Sequence, residues 1–209
     1  MKSQLLSRKT TKVRFRFPCT EEQAVDIMTA AYQSEVEYRR RQFVQDTETA
    51  ANIGKFAKFL TGDNSKFGIM FSGTCGNGKT TMLYAFQSAL NYMRDCGIFE
   101  DRNVGISIVD AKEVASYAKN NKQFHSLRAR DMLAIEDMGR EPLEVLEYGN
   151  VLNPVIDLLE YRYNQQLFTA ITTNLTPKEI REKYGSRIAD RFNEMFDKII
   201  FNNATYRKS

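Results

Sequence analysis

Residues Gly73 to Thr80 read G-T-C-G-N-G-K-T, a glycine, four residues, then Gly-Lys-Thr, and no other stretch constrains the chain as much. Glycines at 73, 76 and 78 let the backbone curl until consecutive N–H groups converge on an anion. Ile69, Met70 and Phe71 directly before the loop predict a strand. Thr81 to Tyr92 directly after it predict a helix whose N-terminus faces the loop. Strand, loop and helix in that order are the setting in which this motif holds a nucleoside triphosphate. Lys79 is then expected on the outer phosphates and Thr80 on a magnesium ion. Gly73, Thr74, Cys75, Gly76, Asn77, Gly78 and Thr81 complete the nucleotide wall, with Cys75 and Asn77 at its variable positions.

Around this loop, strand and helix patterns alternate. Val104–Val109, Met132–Ile135, Leu167–Thr172 and Ile199–Phe201 run apolar as strands. Ala111–Lys119, Val151–Tyr163 (with Asn153 and Pro154 as a cap or kink) and a short segment from Pro177 have helical spacing. That alternation predicts an α/β fold, a parallel sheet flanked by helices, with ligands at the carboxyl ends of the strands. Upstream, Thr20–Phe43 reads as a helix opened by a Thr20/Gln23 capping box, with Val25, Ile27, Met28, Ala31 and Tyr32 as its apolar face. A second helix is expected over Glu48–Leu60, ending near Gly62. The expected division is a small basic N-terminal module at residues 1–44 and a nucleotide-binding domain at 45–209.

A length of 209 residues supports one substantial core with a small appendage. No stretch is apolar for long enough to cross a bilayer, and the basic start lacks the apolar segment of a signal peptide, so the expected compartment is the cytoplasm with no membrane contact. Three scattered cysteines, Cys19, Cys75 and Cys96, exclude a disulfide framework or zinc cluster, and the single histidine, His125, reads as a surface side chain. Any metal is therefore expected to be magnesium arriving with the nucleotide. The net charge of +4 is uneven: Lys2, Arg8, Lys9, Lys12, Arg14 and Arg16 precede any acid, and Arg39, Arg40 and Arg41 form a second cluster. Such patches suit a phosphate backbone, or equally a basic arm and a solvated helix end.

Three further landmarks follow the phosphate loop. Leu133-Ala134-Ile135 runs into Glu136 and Asp137, and by order along the strand Glu136 is assigned to the metal and Asp137 to the attacking water. Thr172-Thr173-Asn174 ends the next strand; an amide there can donate to a phosphate while accepting from water, although it could instead serve as a helix cap or turn. Arg187 and Arg191, four residues apart, share a helix face, where they suit either a phosphate held by a neighbouring subunit or salt bridges to Asp190 or Glu194.

With the phosphate loop, Met132–Gly139, the I-T-T-N-L run at Ile171–Leu175 and Gly185–Phe192, the chain resembles the AAA+ helicase loaders of the DnaC type and the related IstB transposition helpers. Y-R-Y-N at Tyr161–Asn164 and T-Y-R at Thr205–Arg207 are similar as well, so the likeness spans about residues 50–207. The resemblance implies a P-loop AAA+ nucleotide-binding fold without a full C-terminal lid domain, and a magnesium-dependent ATPase. Within it Lys79 and Thr80 bind ATP and Mg2+, Asn174 is the first sensor, and Arg191 is the arginine finger for the next subunit. These loaders have an aspartate and then a glutamate where this chain has Glu136 then Asp137, a reversal that moves both carboxylates and favours slow turnover.

As a loader, the chain would assemble with ATP into a homo-oligomer on single-stranded DNA and engage a hexameric replicative helicase through its front module. As an IstB-like helper it would bind duplex DNA and a transposase. A small-molecule kinase shares the phosphate loop but would need an acceptor pocket and a basic lid, for which the other landmarks give no reason.

Overall fold

The computed structural model describes residues 13–99, 104–147, 150–203 and 206. Two helices, α1 (Glu21–Tyr38) and α2 (Thr47–Thr61), lead into β1 (Gly68–Gly73) and α3 (Lys79–Asp95). There follow β2 (Ser107–Asp110), α4 (Ala111–Ala118), α5 (Asn121–Arg128) and β3 (Met132–Met138). A hairpin of β4 (Val145–Glu147) and β5 (Asn150–Leu152) precedes α6 (Pro154–Gln165) and β6 (Phe168–Thr173). The chain closes on α7 (Pro177–Tyr184), α8 (Ser186–Met195) and β7 (Phe196–Phe201). The main sheet has the order β2-β3-β6-β1-β7, and every neighbouring pair is parallel.

Parallel neighbours need long crossovers, and here the crossover helices bury both faces of the sheet. Alternation divides the strand residues between two cores. Ile69, Phe71, Ala134, Ala170 and Ile199 pack under α1, α2 and α3. Met70, Leu133, Ile135, Ile171 and Phe196 pack against α4, α6, α7 and α8. The same period sends Glu136, two residues beyond Ala134, toward the α3 side. Because β6 lies between β1 and β3, the ends of the three landmark strands are neighbours.

The capping box forms as read: Thr20 Oγ1 accepts from the Gln23 N–H and the Gln23 side chain accepts from the Thr20 N–H. Helix α1 ends at Tyr38 rather than Phe43 because Arg40 takes a left-handed φ of 56°, which no α-helix continues through. The expected boundary at Val44 does not coincide with a break in packing. Ala24, Met28 and Tyr32 of α1 share a core with Phe56 and Leu60 of α2 and Phe86 and Leu90 of α3. Phe17 is buried, and its N–H donates to the Leu60 carbonyl at 2.8 Å.

Further differences from expectation lie later in the chain. The helix read from Val151 begins at Pro154, since Val151 is drawn into the hairpin opposite Leu146. Helix α5 escaped the sequence because it buries only Leu127, too thin a stripe to give a period; the Asn120 side chain caps it, accepting from the Lys122 and Gln123 N–H groups. His125 is exposed on this helix.

Arg162 of α6, in the Y-R-Y-N run, is fully buried. Its guanidinium donates to Thr169 Oγ1 at 2.8 Å, to the carbonyls of Arg128 and Arg130 at 3.0 and 2.7 Å, and to the Phe168 carbonyl. Burial pushes its pKa down to about 9, against the pull of Asp131, which leaves it charged at neutral pH. One planar fork thus ties α6 to β6 and to the turn before β3. Arg162→Met leaves these acceptors buried without donors and is expected to cost about 3 to 5 kcal/mol, read as a fall in melting temperature of about 6 to 20 °C. A melting temperature within a degree or two of the parent's contradicts this role.

Candidate nucleotide site

The phosphate loop starts where β1 ends, and its closeness to β7 explains the first glycine. A Cβ on Gly73, whose φ is 142°, would lie 2.3 Å from the Phe201 carbonyl oxygen. Gly78 has φ 99°, and a Cβ there would lie 2.2 Å from the Tyr32 hydroxyl. Gly78 is also the N-cap of α3 and brings no side chain to satisfy the first-turn N–H groups, which leaves those donors for an anion. Asn77, read only as a variable position, has a structural role. It is buried, donates from Nδ2 to the Phe201 carbonyl at 2.7 Å, and accepts from Lys79 Nζ at 3.1 Å. Lys79 Nζ is turned into the loop, donating to the Gly73 and Thr74 carbonyls at 2.8 and 2.6 Å. Phosphate oxygens would replace some of these acceptors.

Tyr206 reaches the loop from the other end of the chain. Its N–H donates to the Gly76 carbonyl at 2.9 Å, and its hydroxyl donates to Asp46, the N-cap of α2, while lying 3.0 Å from Thr49 Oγ1. Burial raises its phenol above the usual range, helped by the bond to Asp46. In sequence this residue carried only a family likeness.

Glu136 and Asp137 leave β3 differently. Glu136 accepts from the Tyr84 hydroxyl of α3 at 3.2 Å. Burial, and then the carboxylate itself, pushes the Tyr84 phenol up, so it remains a donor. After Ile135 the β3–β6 register shifts, and Asp137 takes a left-handed φ of 53°, a conformation that Asp tolerates better than most side chains. Its N–H donates to Thr172 Oγ1 at 2.9 Å, and Thr173 Oγ1 donates to the Met138 carbonyl at 2.7 Å. The Asp137 carboxylate accepts from Arg140. Behind this turn, buried Glu141 accepts from the Gly139 N–H at 2.8 Å and from Tyr184, while Lys183 Nζ donates to the Gly139 and Glu141 carbonyls, each at 2.7 Å. None of Glu141, Lys183 and Tyr184 drew notice in the sequence; they brace the turn that carries the acids.

Asn174 is exposed and donates from Nδ2 to Cys75 Sγ at 3.1 Å. The end of β6 therefore touches the phosphate loop, as a sensing role needs. The arginine pair lies on α8 as predicted, but its partner is neither Asp190 nor Glu194. Arg191, with 16% of its side chain exposed, sits 2.7 Å from Glu160 of α6 and lies over the Tyr163 ring at 4.8 Å. Arg187, 73% exposed, reaches the same Glu160 oxygen at 3.3 Å. Asp190 instead pairs with Arg181, and Glu194 accepts from Tyr163.

Of the basic residues near the start, Lys2, Arg8, Lys9 and Lys12 lie outside the described residues. Arg14 donates to the Ser65 carbonyl and Arg16 pairs with Asp63, so both have local roles. Arg39 pairs with Glu35, Arg41 donates to the Tyr206 carbonyl at 3.4 Å, and Arg40 is exposed. Among the described residues no group of three His, Cys, Asp or Glu side chains could hold a metal by itself. An ion here would combine Thr80 and Glu136 with phosphate oxygens, a donor set suited to magnesium. Among the same residues no helix is long and apolar enough to cross a membrane.

No family model matches the chain, and no curated protein matches it significantly in sequence. Solved structures do. The DnaC helicase loader is 20% identical over 77% of this chain and 93% of its own, with a TM-score of 0.58. DnaI is 21% identical over 77% and 88%, with a TM-score of 0.54. AMPPCP-bound DnaA from Aquifex aeolicus is 16% identical over 75% of this chain and 48% of its own, with a TM-score of 0.52. With five parallel strands, a phosphate loop after the first, and helices on both faces, the chain has the AAA+ P-loop fold that DnaC and DnaI also have.

Proposed function

We propose that this chain is a magnesium-dependent ATPase that works in cytoplasmic DNA replication as a DnaC-like helicase loader, assembling head to tail on single-stranded DNA when ATP is bound. The observation that carries this reading is convergence: Asn174 touches Cys75 of the phosphate loop, and Glu136 is held from the helix that the loop starts. A strand order of β3-β6-β1 puts the acids, Asn174 and the phosphate loop at the ends of adjacent parallel strands. The shared fold of AMPPCP-bound DnaA supports ATP as the ligand.

In this site the N–H groups from Gly76 to Thr81 and the Lys79 amine bind the phosphates. Thr80 and Glu136 would hold magnesium, which would neutralise phosphate charge. Asp137 accepts the proton of the attacking water, and Asn174 aligns that water against the outer phosphate. Arg191 serves the phosphate bound by the adjacent subunit, for which it exchanges Glu160 for phosphate oxygens. The front residues 1–44 select the partner. Removing them would strip Met28 and Tyr32 from the core, so reversing the charge of Arg40 and Arg41 in the full chain tests that role more cleanly.

The test is mass measurement with ATP, with and without single-stranded DNA, alongside hydrolysis. The parent is expected to assemble with both ligands. Arg191→Ala should lose about a thousandfold of the assembly-stimulated rate, with Arg187→Ala losing less. A strictly monomeric protein indifferent to DNA contradicts the proposal. Capture from the native host that recovers a transposase instead of a replicative helicase replaces the loader with a transposition helper.

A further inference from the structure

Tyr84 and Thr80 stand four residues apart on α3, so they share a face one turn apart. Thr80 lies at the loop end of that face, and Tyr84 donates to Glu136 Oε2 at 3.2 Å. A glutamate has one more rotatable bond than an aspartate and loses correspondingly more freedom when it is fixed. A hydrogen bond on one carboxylate oxygen lowers that loss and leaves Oε1 to face a cation. Across the same helix, Arg39 at the end of α1 lies over the Tyr84 ring at 5.6 Å. Its own position is set by Glu35, 2.9 Å from its guanidinium. The other Glu35 oxygen accepts from Ser88 Oγ at 2.8 Å, one turn beyond Tyr84. A cation over a phenol ring makes its hydroxyl a better donor.

We propose that Tyr84 is a positioning residue that orients Glu136 for magnesium, and that Arg39, held by Glu35 and Ser88, tunes it from the end of α1. The inference rests on the reading of Glu136 as the metal-side acid. It gives the front helix a physical link to the ion that does not pass through the phosphate loop. The reversed Glu-Asp order then has a local counterpart, since the longer acid at the metal position is steadied by a phenol.

Calorimetric titration of AMPPCP into the full chain, in magnesium and separately in EDTA, measures how much the ion tightens binding without any turnover. Tyr84→Phe keeps the ring and so its packing. It is expected to cut the magnesium-dependent gain about tenfold while leaving the affinity in EDTA and the melting temperature at parental values. Arg39→Ala should cut the gain about threefold, and the double variant should fall no further than Tyr84→Phe alone. If Glu136→Gln removes the gain but Tyr84→Phe keeps it, the positioning role is overturned and the metal-side assignment stands. If Glu136→Gln keeps the parental gain, that assignment fails and the inference with it. Additive losses in the double variant overturn the part given to Arg39.

Discussion

Asp137→Asn is expected to bind MgATP like the parent and to release phosphate at least about 100-fold more slowly, the usual contribution of a positioned general base. The expectation follows from how the turn is built. The Asp137 backbone is pinned to Thr172, and its neighbour Met138 to Thr173. An isosteric amide therefore keeps the backbone geometry but loses the negative charge, and with it the proton-accepting oxygen and the ion pair to Arg140. Arg140 now takes up that carboxylate, so the base must exchange one partner for another as water is activated. Glu136→Gln should behave differently, weakening binding when magnesium is scarce as well as slowing release. Single-turnover phosphate release with assembled protein separates the two. A parental rate for Asp137→Asn removes the water-polarising role, whatever Glu136 does.

Much of this architecture was legible in the chain. The phosphate loop, the four predicted strands beyond it, both upstream helices and the Thr20/Gln23 cap depend on local spacing and turn chemistry, which a sequence displays directly. Taking the strands as parallel put Asn174 and the phosphate loop at the same edge of the sheet, whereas the contact of Asn174 with Cys75 depends on β6 lying beside β1, an order the sequence does not display.

What remained hidden depends on contacts between distant residues or on signals too short to have a period. The β4–β5 hairpin consists of two three-residue strands, and Val151 fits the start of a helix as well as a strand. Tyr84 looks like one more aromatic on an amphipathic helix, and nothing in its neighbours points across 52 positions to Glu136. Asn77 and Tyr206 are similar cases: each binds backbone that arrives from the other end of the chain. The salt-bridge partner of Arg191 was misread for a related reason. Asp190 and Glu194 are close in sequence, but Glu160 is the one that α6 brings beside α8. The division at Val44 followed the order of elements along the chain, in which two helices precede the first core strand, and that order does not show the apolar packing that joins α1 to the shared core.

The loss of binding expected for Lys79→Ala is also large. Lys79 is nearly buried and sits among the carbonyls of its own loop, so its charge is already aimed where phosphate oxygens would lie. Deleting that charge removes a charge-assisted bond in a shielded place, worth about 3 kcal/mol, or more than about 100-fold in Kd. The loop glycines and the bond from Asn77 to Phe201 remain, so circular dichroism should be unchanged. The most direct measurement is calorimetric titration of MgATP into the parent and into Lys79→Ala. One-to-one binding by the parent and its near-complete loss in the variant is the predicted result. No binding by the folded parent, or equal binding by both proteins, would contradict the assignment of the Gly73–Thr81 loop as the ATP site.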